Sequence, residues 1–253
     1  MIENKCDEPS FVSAEDFVSH IYESIGAPVP KAPENIVAVF HPKLFKKICE
    51  SRGLQDIPGS DIKAISENIG LVSIGIGAPY ATVNMEELIV FGAKNFIFIG
   101  TAGGLQESLR TGDFIIPTKA LRDEGVSRHY LKEARYSEPS NSLCDAIAGV
   151  MDREKIKFHV GAVWSTDALY RETQKEIFAY KDEGILAVEM EDAALYAVAQ
   201  YRGVNAASVH MISDVLCGAR WEPHFGDKKV RDAEVLAVDI AIKAFSDFSL
   251  RSE

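Results

Sequence analysis

Glu189 and Glu191 stand two residues apart at the end of an apolar run, in the order Ala187-Val188-Glu189-Met190-Glu191-Asp192. If the strand persists, alternate residues share a face and the two carboxylates lie together. Such a pair is costly unless each member has a partner. It suits a vicinal diol, because a carboxylate can accept two hydroxyl protons at once. The competing reading makes Glu191 and Asp192 first-turn residues of a helix, favoured by its dipole. That reading is preferred for Asp192 and not for Glu191.

Two further junctions have the same form. In Val209-His210-Met211-Ile212-Ser213-Asp214, an acid follows an apolar run; partial burial there would make it a proton donor, whereas a Ser-Asp helix cap is the plainer alternative. In Phe98-Ile99-Gly100-Thr101-Ala102-Gly103-Gly104, small residues and a hydroxyl follow a buried run, so that N–H groups and Thr101 could face an anion. Taken alone, those letters favour the plainer reading, a tight turn that merely needs glycine, because Gly-rich turns are common.

The elements that must carry these junctions alternate. Short apolar runs predict strands at 36–40, 71–76, 95–100, 113–117, 160–165, 185–190 and 206–212. Helical spacing and end signals predict helices from Pro79 to about Gly92 and over 172–181, 192–202 and 229–248. The polar stretch 121–142 reads as an irregular functional loop. Ser13 as N-cap with Asp16 three residues on, followed by Phe17, Ile21 and Ile25, predicts an amphipathic helix in an N-terminal extension over 1–35. A Pro-punctuated connector then leads into one domain over 36–253. The expected class is α/β, a single three-layer α/β/α domain whose ligand site gathers at strand ends.

Composition narrows the partners. The 253 residues carry 27 Lys+Arg against 38 Asp+Glu, a formal net charge of −11, which argues against nucleic acid or an anionic membrane surface. No apolar run approaches the ~18 residues of a membrane helix. The start has no apolar signal segment, so a cytoplasmic location is expected. Cys6, Cys49, Cys144 and Cys217 stand far apart, each read as a small buried hydrophobe, and neither a disulfide scaffold nor a zinc site is supported. No GxGxxG opens a helix after a strand, which removes a dinucleotide-binding dehydrogenase.

Taken together, GTAGGLQESLRTGDFIIP, EGVSRHY, STDALYRET, AVEMEDAAL and MISDV resemble, in order and spacing, the nucleoside phosphorylase family. That family joins hexameric purine nucleoside phosphorylases, uridine phosphorylases and the nucleosidases of methylthioadenosine and adenosylhomocysteine. TDALYRET and RDEGVSRHYL look most like a uridine phosphorylase-like group. The resemblance covers residue 36 to the C-terminus, and VEMED with a downstream SD is its specific part. It implies a mixed central sheet and a transferase that cleaves the N-glycosidic bond of a purine or pyrimidine nucleoside with phosphate. The products would be free base and (deoxy)ribose 1-phosphate, as in nucleotide salvage.

By position, the resemblance implies Asp214 as the acid at the base. Glu191, Met190 and Glu189 would hold the ribose. Gly100 and Thr101 would face phosphate, with Arg128 and His129 as available cations, and Tyr170, Arg171 and Arg220 would border the base. Metal and organic cofactors are not implied, phosphate being a cosubstrate, and a homo-oligomer (dimer or hexamer) is expected.

Two departures bear on the acceptor. The glycine-rich phosphate loop of the family is replaced by Phe40-His41-Pro42-Lys43, and the arginine two residues before Gly100 is replaced by Phe98. A dianion without cations is poorly stabilised, which keeps two alternatives open: a nucleosidase using water, and a noncatalytic nucleoside binder. Asp214 leans towards purines, whereas Arg171, Glu172 and Gln174 lie near the pyrimidine-reading segment of uridine-directed members.

Overall fold

The computed structural model describes residues 5–218 and 220–251. Among the described residues, eleven strands and seven α-helices alternate. Helix α1 (Ala14–Ser24) precedes β1 (Asn35–Val39), α2 (Pro42–Arg52), β2 (Gln55–Asp56), β3 (Lys63–Ser66), β4 (Ile69–Ser73) and α3 (Ala78–Val90). Then come β5 (Asn95–Gly104), β6 (Phe114–Asp123), β7 (Tyr136–Ser137), α4 (Asn141–Arg153), β8 (Phe158–Thr166) and α5 (Gln174–Asp182). The chain closes with β9 (Ala187–Glu189), α6 (Asp192–Arg202), β10 (Asn205–Val215), β11 (Glu222–Pro223) and α7 (Lys228–Arg251).

The sheet is mixed, as expected. Its spine runs β11-β10-β6-β8-β9-β5-β1-β4-β3-β2, and β10 also pairs with β5. That extra pairing closes β5, β10, β6, β8 and β9 into a ring from which β1 and β4 extend as a parallel wing. Helices cover both faces. Apolar residues of α2, α4 and α7 pack with Val37, Ile97, Ile99 and Met211 on one face; those of α3 and α6 pack with Phe96, Phe98 and Ile212 on the other. Strand β1 is buried at every position, which is why it reads as a continuous apolar run.

Strand β5 differs most from expectation. It does not stop at Gly100 but runs on through Thr101-Ala102-Gly103-Gly104, pairing with β10 along its length and with β9 at its end. The glycines serve close approach rather than a turn. A Cβ at Gly103 would fall 2.3 Å from Leu216, and one at Gly100 would fall 2.6 Å from the Phe40 ring. Closing the ring brings three strands together here, and side chains would hold them apart.

Three other segments depart from expectation. Strand β6 reaches Asp123, so the stretch read as a loop begins as a strand and also contains a 3-10 turn over Ser127–His129, β7 and the first residues of α4. Arg122 organises it, donating to Ser127 Oγ and to the carbonyls of Leu131, Lys132 and Ala134. Helix α1 forms with the capping box of Ser13 and Asp16, yet it buries Val18, while Phe17, Ile21 and Ile25 stay exposed. Tyr22 ties it down, its hydroxyl donating to the Gly59 carbonyl at 2.7 Å and its ring meeting Phe91 edge-on. Residues 1–4 of the expected extension lie outside the described residues. All four cysteines are free, and only Cys217 is fully buried.

Candidate functional site

The loop after β4 and the later parts of β5 and β10 meet the short strand β9, antiparallel to β5, at one rim. Gly103 of β5 is in register with Asp214 of β10 on one side and with Val188 of β9 on the other. Strands lie roughly 4.8 Å apart, so the outer two stand about 10 Å from each other across Gly103. One side chain past Val188 the strand ends, and the chain enters α6 through Glu191.

The two glutamates part there. The strand stops at Glu189, and Glu191 adopts φ −138°, ψ −36° as the residue preceding α6, so the shared face is not formed. Glu189 turns inward: Oε2 accepts the N–H groups of Glu191 (2.6 Å) and Asp192 (2.7 Å), and Oε1 accepts the Ser165 hydroxyl. It satisfies orphan donors at the start of α6 and complements the helix dipole. Burial, with the Asp192 charge next, pushes its carboxyl up.

Glu191 instead reaches towards the loop after β4. Its Oε1 accepts the Gly77 N–H at 2.6 Å, and its Oε2 faces the Met190 N–H at 3.3 Å. Burial pushes it up to about 7; the Gly77 N–H and the His210 charge oppose that rise. Met190 beside it is half-buried.

Behind Glu191 lies a polar network that reaches across to β10. Asp192 is fully buried; Oδ1 accepts the Ser208 hydroxyl at 2.6 Å, and Oδ2 meets His210 Nε2 at 2.7 Å and the Tyr196 hydroxyl at 3.1 Å. Ser165 closes the other side, accepting the Ala193 N–H at 2.9 Å. Burial alone would lower the His210 imidazole, but Asp192, with Glu189 and Glu191 behind it, outweighs that and pushes it up to about 9. His210 Nδ1 has no protein partner and lies 3.3 Å from where a Gly100 Cβ would stand.

Asp214 sits inside β10, just past a register shift between Ile212 and Asp214, so it is not a helix cap. Oδ1 accepts the Ser213 hydroxyl and Oδ2 the Trp221 indole N–H, each at 2.8 Å. Glu172 approaches from the start of α5, where burial first and the Asp214 charge second push it up to about 7. Tyr170 precedes it on the same connection and is 95% exposed; Arg171 and Arg220 are exposed too.

The expected anion side is differently furnished. Thr101 is half-buried and pairs in register with Met211, which places it on the face opposite Gly100 and His210. Phe98 lies in the core, its ring stacked 6.2 Å from Phe40 and 6.0 Å from Phe96. Arg128 is exposed and donates to the Glu124 carbonyl; His129 meets Lys5 Nζ at 2.7 Å. Tyr130, next along, packs edge-on against Tyr201. Tyr201 lies ten residues beyond Glu191, roughly 15 Å along α6. No hydrogen bond or ion pair joins Arg128 or His129 to Gly100 or Thr101 among the described residues.

Four residues that matter here were not singled out by sequence reasoning. His210 and Ser208 are polar residues two apart in an apolar strand, a pattern that places both on one face and marks a buried network. Ser165 stands in the same way near the end of β8. Gly77 carried no signal, because its contact with Glu191 spans 114 residues.

The sequence profile of the phosphorylase superfamily matches residues 63–246. A guanosine phosphorylase of Halorubrum lacusprofundi is 29% identical over 181 residues, 70% of this chain and 75% of that protein. Uridine phosphorylase from Vibrio fischeri superposes with a TM-score of 0.73 at 25% identity, covering 85% of this chain and 93% of that one. AMP nucleosidase from Bacteroides thetaiotaomicron shares the fold, with a TM-score of 0.77 at 20% identity, covering 95% of this chain and 99% of that one.

Proposed function

Because the chain belongs to the phosphorylase superfamily, we propose that it cleaves the N-glycosidic bond of a nucleoside and transfers the pentosyl group to phosphate. The observation that carries this reading is the register at Gly103, which sets Asp214 on one side of a strand and, on the other, Val188 of β9, the strand that leads into Glu191. In this reading Asp214 supports the departing base, where negative charge develops. Glu191, with Met190 beside it, holds the ribose hydroxyls while C1′ acquires oxocarbenium character. Glu189 acts from behind, fixing the backbone that carries Glu191. Tyr170, Arg171 and Arg220 border the base, and Gly100 and Thr101 face phosphate in this reading; Arg128 and His129, engaged by Glu124 and Lys5, stand apart from them.

Hydrolysis is the second reading, and one observation favours it. The rings of Phe40, just past β1, and of Phe96 and Phe98, in the first half of β5, pack together in the core, so the position where the family's arginine would serve a dianion is apolar. Free base released from a panel of purine and pyrimidine nucleosides tests the shared part of both readings. Binding without release would make the scaffold a nucleoside binder.

A further inference from the structure

Among the described residues, His210 is the one group of opposite charge that acts on Glu191. The groups facing it and its network are Glu189 on β9, Asp192 and Tyr196 on α6, His210 on β10, and Cys144 from α4 behind Asp192. No lysine or arginine makes a hydrogen bond or ion pair with any of them among the described residues. Three carboxyl groups therefore lie buried together with one imidazole, and the Asp192 charge adds to burial in pushing both Glu189 and Glu191 up.

We propose that His210 is a positioning residue for the ribose carboxylate: gripped by Asp192 at the first turn of α6, its imidazolium keeps Glu191 ionised and aimed at the substrate diol. The inference rests on the reading of Glu191 as the ribose anchor. Geometry supports it at three points. Asp192 follows Glu191 directly and meets His210 Nε2 at 2.7 Å, so β10 fixes the helix turn that presents Glu191. Ser208 and Tyr196 hold the same carboxylate, leaving it one orientation. Gly100 opposite leaves the His210 ring room that a side chain would take. A protonated Glu191 would lose an acceptor oxygen and its charge, and with them its hold on two hydroxyls.

His210→Gln keeps a donor for Asp192 and removes the charge. The test is ¹³C NMR titration of the Glu191 carboxyl in the wild-type protein and in H210Q, with the wild-type His210 imidazole followed alongside. The expected results are a His210 still protonated at pH 7.5 and a Glu191 titration that rises by about one pH unit or more in the variant, roughly a tenfold change in ionisation. In turnover, the preference of H210Q for ribo- over 2′-deoxyribonucleosides should fall about tenfold at pH 6.5 and return at pH 8.5. A neutral His210 at pH 7.5, an unmoved Glu191, or an equal loss at both pH values overturns the proposal. If H210Q does not fold, the wild-type His210 titration still decides. Were the NMR shifts found in a protein that turns over no nucleoside, the charge coupling would stand and the reading of the reaction would fall.

Discussion

The Trp221 indole N–H donates to Asp214 Oδ2 at 2.8 Å from a ring that is itself 58% exposed. The segment after β10 thus folds back over the strand end that produced it, with Phe225 packed 6.0 Å from the indole. Ser213 engages the other oxygen, so Asp214 is held in one orientation at the rim. Trp221→Phe keeps the ring and removes the donor. A hydrogen bond to a charged group is worth about 1.5–3 kcal/mol, so kcat should fall roughly tenfold to a hundredfold. KM should move much less, because the ring remains; steady-state kinetics on one nucleoside checks both.

Asp214→Asn should lower kcat on purine nucleosides by about 10²–10⁴, the usual range for a positioned acid, with little loss of binding. Single-turnover rates alongside equilibrium binding separate the two. Equal losses in both would remove Asp214 from the chemistry.

Glu191→Ala should weaken ribonucleosides more than their 2′-deoxy counterparts, by about tenfold in kcat/KM, since a charge-assisted contact to the diol is what it removes. An unchanged ratio sinks the diol assignment.

Glu172 titrates near 7 in the folded chain, against 4.5 for an unhindered glutamate, because burial and the Asp214 charge both disfavour its anion. The folded state therefore holds an extra proton between those values, and stability contributed by this group falls as pH rises through about 4.5 to 7. Glu172→Gln removes that dependence. The Tm difference between variant and wild type should grow in favour of the variant from pH 5 to pH 8, as followed by calorimetry.

Phe98→Ala should cost about 3–5 kcal/mol by urea denaturation, the usual penalty for emptying a large aromatic site in a core. Its ring lies stacked between Phe40 and Phe96 in the core. A loss under about 1 kcal/mol would mean the site collapses freely.

Strand and helix order was legible because burial on both faces of β1 and β5 writes itself as apolar runs, and because Ser13 caps α1 with local hydrogen bonds; the equivalent cap of α5, Thr173, went unread, so that helix was started at Glu172. Helices α2 and α4 were not read: α2, which Pro42 begins, is mostly polar, while α4 begins inside the stretch read as a loop, although its Leu143, Ile147, Val150 and Met151 recur at helical spacing. Gly103 and Gly104 looked like a turn, since nothing local reveals that a third strand will pack against them. The same limit hid Gly77. Contacts made across the ring depend on closure, which no sequence period encodes. Asp192 was read as a first-turn residue, and it is one; its grip on His210 comes from β10 lying beside α6.

The most direct test is to incubate the protein with the nucleoside it cleaves, with and without phosphate, and to identify the sugar product. Pentosyl transfer predicts (deoxy)ribose 1-phosphate, formed only when phosphate is present, in step with free base. Free sugar released at a rate indifferent to phosphate would contradict phosphate as acceptor and establish the hydrolytic reading. No base released from any nucleoside would contradict the reaction itself.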